Sequence, residues 1–564
     1  MTYDVNRLLR LAGAALSACC IHGLARAAPP NDDWADRTVV AGLPFSETLA
    51  DVQDATTEST DPNIFCYYAP SGPSNPGRNS VWYGYATGDA DEYVDLDATG
   101  YDTILAVYEG APASFVGVRA GCNDDGAGRG SGSIIRGLRL RAHTPYSIVV
   151  ARYAPDEGDA TLSFSMARSA VYRVTKTEDG DDGRCDEDCS LREAVRQSVA
   201  VPGAVLIPAG RYPVPGGLDF GNPNPGGENL YGAGMNATVI DAMGEGPVLT
   251  YPFQEGTRQV LTHGLHDLTL TNANFDGNGG AVYGAEGYFV FDRVALTDSV
   301  ARINGGGANI QLSAASFYES LIAGNTAEGN GGGLYVRRHN LEIRDSTIIG
   351  NRSRATAEES GGGGLYLTER FSELRLTNTT IGANQAAADA GGLYVRDAGN
   401  DVELDNASIV GNAFAGAQAA SRAGGLLVDG SSRVRIGNSV LSGNHVLADE
   451  AATSDCGAFR GASATTHHNL VGAPGSCTFS SSDLIGPDPQ LLPLGPHDSR
   501  LPVYVPAPGS PLVDAGDPGD SCAPADARGV ARPLDGDGDG VARCDIGAVE
   551  LRPAADAIFA DGFD

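Results

Sequence analysis

Leu341-Glu342-Ile343-Arg344-Asp345-Ser346-Thr347-Ile348-Ile349-Gly350-Asn351, followed by Gly363-Gly364-Leu365-Tyr366-Leu367, is one unit of a pattern that recurs down the middle of this chain. The Ile-x-x-Asn half, with Leu for Ile in the last copy, ends at Asn325, Asn351, Asn384, Asn412 and Asn444, in steps of 26, 33, 28 and 32 residues. The Gly-Gly half returns as Gly332-Gly333-Leu334-Tyr335-Val336, Gly391-Gly392-Leu393-Tyr394-Val395 and Gly424-Gly425-Leu426-Leu427-Val428. Periods of this length mean stacked repeats, each unit burying its apolar face against the next.

Aligned on the Asn, the columns carry physical meaning. Leu341/Ile343, Leu374/Leu376, Val402/Leu404 and Val434/Ile436 are apolar at alternate positions, whereas Glu342, Arg375, Glu403 and Arg435 between them are charged. Side chains alternate across a strand, so the apolar columns face a core and the charged column faces water. Successive units then pair as parallel strands, like over like. The Asn suits an inward amide ladder at a corner, and the Gly pairs suit tight approach or positive φ at the next corner. Tyr335, Tyr366 and Tyr394 fall in one outward column, predicting a stack on an exposed face, either simple ladder stabilisation or a platform for sugar rings.

The chain has 564 residues, 76 of them Gly, and 42% are apolar, enough to build a core rather than a disordered chain. A net charge of −33 argues against nucleic acid or an anionic membrane as partner and is compatible with Ca²⁺. Residues 1–27 have the plan of a signal peptide: Arg7 and Arg10, an apolar run Leu11–Leu24, then Ala25-Arg26-Ala27. Leu16-Ser17-Ala18-Cys19 also has the form of a lipobox, so cleavage near Ala27 and lipidation at Cys19 both stand as expectations. No other run reaches the ~20 apolar residues of a spanning helix. The expected location is secreted or at the cell surface. The remaining cysteines group locally, as Cys66 with Cys122, Cys185 with Cys189, Cys456 with Cys477 and Cys522 with Cys544. Eight cysteines allow about a hundred pairings, but even count and export favour four local disulfides.

Residues 29–168 lack the repeat; short alternating runs such as Ser80–Tyr85 and Tyr101–Tyr108 predict a β-sandwich. The succession Ser80-Val81-Trp82-Tyr83, Tyr101–Tyr108, Asn123-Asp124-Asp125 and Tyr146–Val150 resembles the pre-peptidase C-terminal-like accessory domain of secreted bacterial proteins. That resemblance implies an accessory module, sometimes binding Ca²⁺ or polymer. Asp102, Asp124 and Asp125 are its candidate oxygen ligands, with solvated turn aspartates as the alternative. Cys189-Ser190-Leu191-Arg192-Glu193-Ala194 resembles the Cys-Ser-Leu-Arg-Glu-Ala motif of exported bacterial β-helix proteins, implying an N-terminal cap. Phe275-Asp276-Gly277-Asn278 with Gly279-Gly280-Ala281-Val282 resembles repeats of polymorphic outer-membrane proteins. Residues 446–551, with Ser510-Pro511-Leu512-Val513-Asp514-Ala515-Gly516 and Asp545-Ile546-Gly547-Ala548, resemble the choice-of-anchor domain that follows such helices. It implies a disulfide-bonded cap on the last coil. The fold class is therefore all-β: a right-handed parallel β-helix over 171–445, preceded by a sandwich and followed by a cap and a tail over 552–564.

Asp535-Gly536-Asp537-Gly538-Asp539-Gly540 opens like an EF-hand loop, but the twelfth position is Ile546; Asp535, Asp537, Asp539 and Asp545 are the candidate Ca²⁺ ligands, against a solvated turn. No catalytic column is visible. Ser316, Glu342, Arg375, Glu403 and Arg435 alternate in sign, and Arg344, Thr377 and Asp405 do not concentrate acids. The sequence therefore predicts an extracellular adhesion or glycan-binding scaffold whose partner is a surface glycan or protein. The alternative is a polysaccharide lyase or glycoside hydrolase, which needs a carboxylate pair in a cleft.

Overall fold

A computed structural model of the chain describes residues 27–62, 64, 66, 77–126, 132–153, 161–221, 227–253, 260–338, 340–369, 372–397, 399–415, 422–429, 431–460, 463–519 and 522–553. The apolar run of the expected signal, Cys19 and most of the tail lie outside the described residues. The protein is all-β, with a β-solenoid behind an N-terminal pair of sheets.

One N-terminal sheet orders its strands Thr38–Val39, Arg78–Ala86, Pro145–Arg152, Thr103–Glu109 and Val116–Asp124. The other orders Phe45–Leu49, Leu162–Arg168, Glu92–Thr99 and Gly132–Leu140. Their alternate residues meet in one core that includes Val81, Tyr83, Leu96, Leu105, Val107, Ile148, Val150 and Phe164, with the Tyr83 and Phe164 rings stacked at 4.0 Å. This sandwich leans on the flank of the first coils. Ile104, Trp82 and Val149 pack with Val260, Tyr288, Val290 and Tyr318, and Asn123 Nδ2 donates to the Val260 carbonyl at 2.9 Å. Gly137 makes the close approach possible, since a Cβ there would lie 2.6 Å from the Gly203 backbone.

The helix Leu191–Ala200 covers the open end of the first coil. Ser190 caps it: its hydroxyl accepts from the Glu193 amide at 3.2 Å, while Glu193 Oε2 accepts from the Ser190 amide at 2.7 Å. Leu191, Ala194 and Val195 then fill the mouth of the core against Val205 and Leu218. Arg192 reaches Asp179 and the Gly217 carbonyl, so Arg192 and Glu193 are both engaged in holding the cap.

Beyond the cap, the coils stack in the expected register. Leu341 pairs with Leu374, Val402 and Val434 in succession, and Ile343, Leu376, Leu404 and Ile436 follow one column over. All eight are at most 2% exposed, and each such side chain gains about 1.5–3 kcal/mol by leaving water. Phe291 and Phe317 stack at 4.2 Å inside the same core. The corner asparagines form a continuous chain. Nδ2 of Asn325, Asn351, Asn384 and Asn412 each donates to Oδ1 of the next at 2.9–3.0 Å, and also to a carbonyl of the coil behind. At the Gly pairs it is tight approach, not positive φ, that excludes a side chain. A Cβ on Gly332 would lie 2.3 Å from the Arg352 carbonyl carbon, and the positive φ falls one residue earlier, at Gly331.

Two expectations about the end of the solenoid change. Coiling does not stop at residue 445, because Ser463–His467, Leu470–Val471 and Leu484–Ile485 continue the long parallel sheet. The period disappears from the sequence there because the ladder partner changes identity: Asn444 Nδ2 donates to Asp455 Oδ1 at 2.7 Å, and Asn469 Nδ2 to Asp483 Oδ1 at 2.9 Å. A carboxylate accepts without needing an onward acceptor, so it can end a ladder. Secondly, the region of the expected C-terminal cap has two parts. The disulfide-bonded Cys456 and Cys477, with Phe479, pack on the end of the solenoid core, and the described residues of 487–551 turn back along its flank as a strap. Pro502 accepts from Thr347 at 3.0 Å, Ala548 donates to the Ser408 hydroxyl at 3.0 Å, and Leu501 packs on Met235 and Ala295. Cys66–Cys122, Cys185–Cys189, Cys456–Cys477 and Cys522–Cys544 are disulfide-bonded.

Candidate functional site

From the strand Leu261–Thr271 onward, coils of the long sheet bend at a residue with positive φ, and these corners form a column: Asp267, Arg293, Glu319, Asp345, Asn378, Asn406, Asn438 and His468. Asn and Asp tolerate this left-handed conformation better than most residues, which explains their number here. Several corner side chains grip the strap. Nδ2 of Asn378 donates to the Ala525 carbonyl at 2.8 Å, Oδ1 of Asn406 accepts from Ala523 at 3.2 Å, and Oδ1 of Asn438 accepts from Asp517 at 2.8 Å.

Between the corner column and the strap lies a cavity of about 590 Å³. Glu319, Arg344, Asp345, Asn378 and Asp405 form its solenoid wall, and residues 498–501 and 522–529 of the strap form the other. Burial raises the Asp345 pKa above the usual carboxylate range, although Asn378 Nδ2 donates to it at 2.8 Å. Burial likewise pushes Asp405 up to about 6, offset in part by the Asn438 amide. The guanidinium groups are already committed: Arg500 to Glu319 at 2.9 Å, Arg528 to Asp526 at 2.9 Å, and Arg344 to Glu342 at 3.2 Å. Asn378 is 3% exposed, and its amide oxygen accepts no hydrogen bond. A buried acceptor left unpaired costs about 1–3 kcal/mol. A second hollow of about 190 Å³, between sandwich and solenoid, shares Glu319 with the first and is lined by Arg119, Arg139, Arg141, Tyr231, His266 and Asp292.

The tyrosine column is corrected in two respects: Tyr366 and Tyr394 meet edge to face, inclined at 76°, and their rings are covered. Tyr335, Tyr366 and Tyr394 do pair in register, with Tyr335 and Tyr366 stacked at 5.6 Å, but Tyr366 and Tyr394 are each only 1% exposed. The 33-residue step carries extra chain that folds over the column: the Tyr366 hydroxyl donates to the Glu359 carbonyl at 3.2 Å, and Arg396 pairs with Glu359 at 2.6 Å. With Ala390 and Leu427 the rings form a small outer core, so they present no open platform.

Of the two acidic groups, one converges and the other does not. Asp102, Asp124 and Asp125 bring their carboxylate oxygens within 4.8 Å of one another at the sandwich edge. Asp124 is 4% exposed, and burial, then Asp125 and Asp102, push its pKa up to about 8. In the C-terminal loop, Asp535 and Asp537 meet Asp514 instead of Asp539 and Asp545. Their oxygens are taken by the turn itself: Asp535 accepts from Gly538 and Gly540, Asp537 from Asp539, and Asp539 from Val541. Asp545 lies beneath, 1% exposed, accepting from the amides of Asp514 and Leu551. The EF-hand-like grouping is thus replaced by a self-satisfied turn.

Buried histidines escaped the sequence reading because their partners come from other coils: His263 and His266 share the strand Leu261–Thr271, whereas Glu228, Asn229 and Asp292 lie on its neighbours. His263 Nδ1 lies 3.0 Å from Glu228, and His266 bridges Asp292 at 3.3 Å and Asn229 at 3.1 Å, stacked on Tyr231 at 4.6 Å. Burial alone would raise Asp292; His266 and Arg293 overcome it and hold the carboxyl below its ordinary range. The corner column was legible as the fifth position of each repeat, where Glu319, Asp345, Asn378, Asn406 and Asn438 align.

Comparison with curated proteins finds no match. Among solved structures, the Agl-KA catalytic domain is 11% identical over 79% of this chain and 95% of that chain, with a TM-score of 0.21. The catalytic domain of GH87 alpha-1,3-glucanase in complex with nigerose is 10% identical over 78% of this chain and 98% of that chain, with a TM-score of 0.20. Likeness of this degree extends to no site and no activity. Within the solenoid, residues 259–439 match the family model described as right handed beta helix region.

Proposed function

We propose that the protein is an exported, surface-associated scaffold that binds an extended glycan in the cavity between the corner column and the strap. The observation that carries this is the wall itself. Asp345 and Asp405 place carboxylates two coils apart on one wall, at ~4.8 Å per coil, a spacing suited to a polymer that repeats its own hydroxyls. Five carboxylates against three guanidinium groups line the cavity, all three guanidiniums paired, which selects neutral or amino-bearing sugars over acidic ones. Export is supported by the four disulfides, which belong to oxidising compartments. No helix among the described residues is long and apolar enough to cross a membrane. The test is a glycan array followed by titration calorimetry. Asp405→Ala and Arg344→Ala should weaken binding at least tenfold with unchanged melting, and unchanged affinity in both would refute the assignment.

One observation favours a second reading, a glycoside hydrolase. Asp405, with its pKa near 6, and Asp345 stand two coils apart, about 10 Å by strand spacing, at the upper end of the separation used by inverting enzymes. Release of reducing sugar by the wild-type chain but not by Asp405→Asn would establish it.

Ca²⁺ fits Asp102, Asp124 and Asp125. Three carboxylates this close, one of them buried, retain a proton at neutral pH unless a cation lies between them and replaces it.

A further inference from the structure

His467 and His468 are neighbours in sequence, yet both aim Nδ1 at the Asp517 carboxylate, at 3.6 and 3.9 Å. Adjacent strand residues point to opposite faces. Here the corner intervenes: His468 has φ +50° and turns back beside His467, the two rings 6.0 Å apart and inclined at 71°. Room for the His467 ring comes from Gly437, its partner on the preceding coil, where a Cβ would lie 2.5 Å from the ring. The carboxylate comes from the strap, fixed by its own amide donating to Asn438 and by Gly519 donating to Oδ1, both at 2.8 Å.

We infer that His467, His468 and Asp517 form a binding site for a divalent transition-metal ion of the Zn²⁺ class, which clamps the strap to the last coils. Three features point this way. Ligand atoms of the three residues lie within 4.8 Å of one another. The nitrogen–oxygen separations are too long for hydrogen bonds, and neither Nδ1 makes one although both are shielded from solvent. Two atoms each about 2.1 Å from a tetrahedral ion stand about 3.4 Å apart, close to the spacings seen. Two imidazoles and one carboxylate favour Zn²⁺, Co²⁺ or Ni²⁺ over Ca²⁺ or Mg²⁺, so this site is chemically distinct from the aspartate cluster of the sandwich. With side chains 24–37% exposed, the ion would keep a position open to water.

The test uses the full, disulfide-bonded chain, stripped with chelator and titrated with ZnCl₂ at constant Ca²⁺. Calorimetry should find one high-affinity equivalent, with a rise in melting temperature. His468→Gln and Asp517→Asn should each abolish that equivalent while retaining the circular dichroism spectrum of the parent. His467→Asn serves as the independent variant should either fail to fold. Absence of Zn²⁺ binding by the parent chain, or binding undiminished in the folded variants, would overturn the inference.

Discussion

Asn384 shows how much one side chain carries in a solenoid. Its Nδ2 serves the Ile348 carbonyl and Asn412, while its Oδ1 receives both the amide and the side chain of Asn351. Asn384→Ala would leave four buried groups short of partners in two neighbouring coils. The expected loss is about 3–5 kcal/mol, read as a lowered urea midpoint. A loss below about 1 kcal/mol would mean that the ladder relaxes or admits water. This residue was legible because the Ile-x-x-Asn period isolates it. Asp455 and Asp483 perform the terminal acceptor role without the period, which is why the last coils were not visible. Asp124 poses a different question at the same scale. In chelated protein, Asp124→Asn should raise stability by relieving carboxylate repulsion, and it should remove any rise in melting temperature caused by Ca²⁺. A destabilised variant that still responds to Ca²⁺ would exclude the site.

Among the elements, the tyrosine strands teach most about where sequence reading stops. Register and the outward direction of Tyr335, Tyr366 and Tyr394 follow from aligned Gly-Gly units, as does the stacking of the first two rings. Burial does not, because it depends on how the surplus residues of the longer coil fold, and those residues have no column of their own. Tyr366→Ala should therefore cost about 3–5 kcal/mol and expose the 354–361 segment to limited proteolysis, as expected for loss of a buried aromatic. Unaltered protease resistance would show that the segment holds itself. The helix cap is the converse case. Both bonds between Ser190 and Glu193 are local, three residues apart, and need no tertiary information.

At the scale of the whole molecule, the strap determines the site. A bare β-helix flank with alternating charge offers a polymer no enclosure. Residues 498–501 and 522–529 close one side and convert the corner column into a cavity. That wall was beyond the sequence, since contacts such as Asn378 to Ala525 span 147 residues without periodicity. The half of the site on the solenoid was within reach: Glu319, Asp345 and Asn378 occupy one column, and their left-handed backbone favours short polar side chains. Where the ligand sits decides between this cavity and the other faces of the molecule. Hydrogen–deuterium exchange of the full chain, with and without the oligosaccharide selected by the array, is the most direct measurement. Protection concentrated in residues 343–346, 376–379, 498–501 and 522–529 is the predicted result. Protection confined to the face of Tyr335, Tyr366 and Tyr394, or to the sandwich, would contradict it.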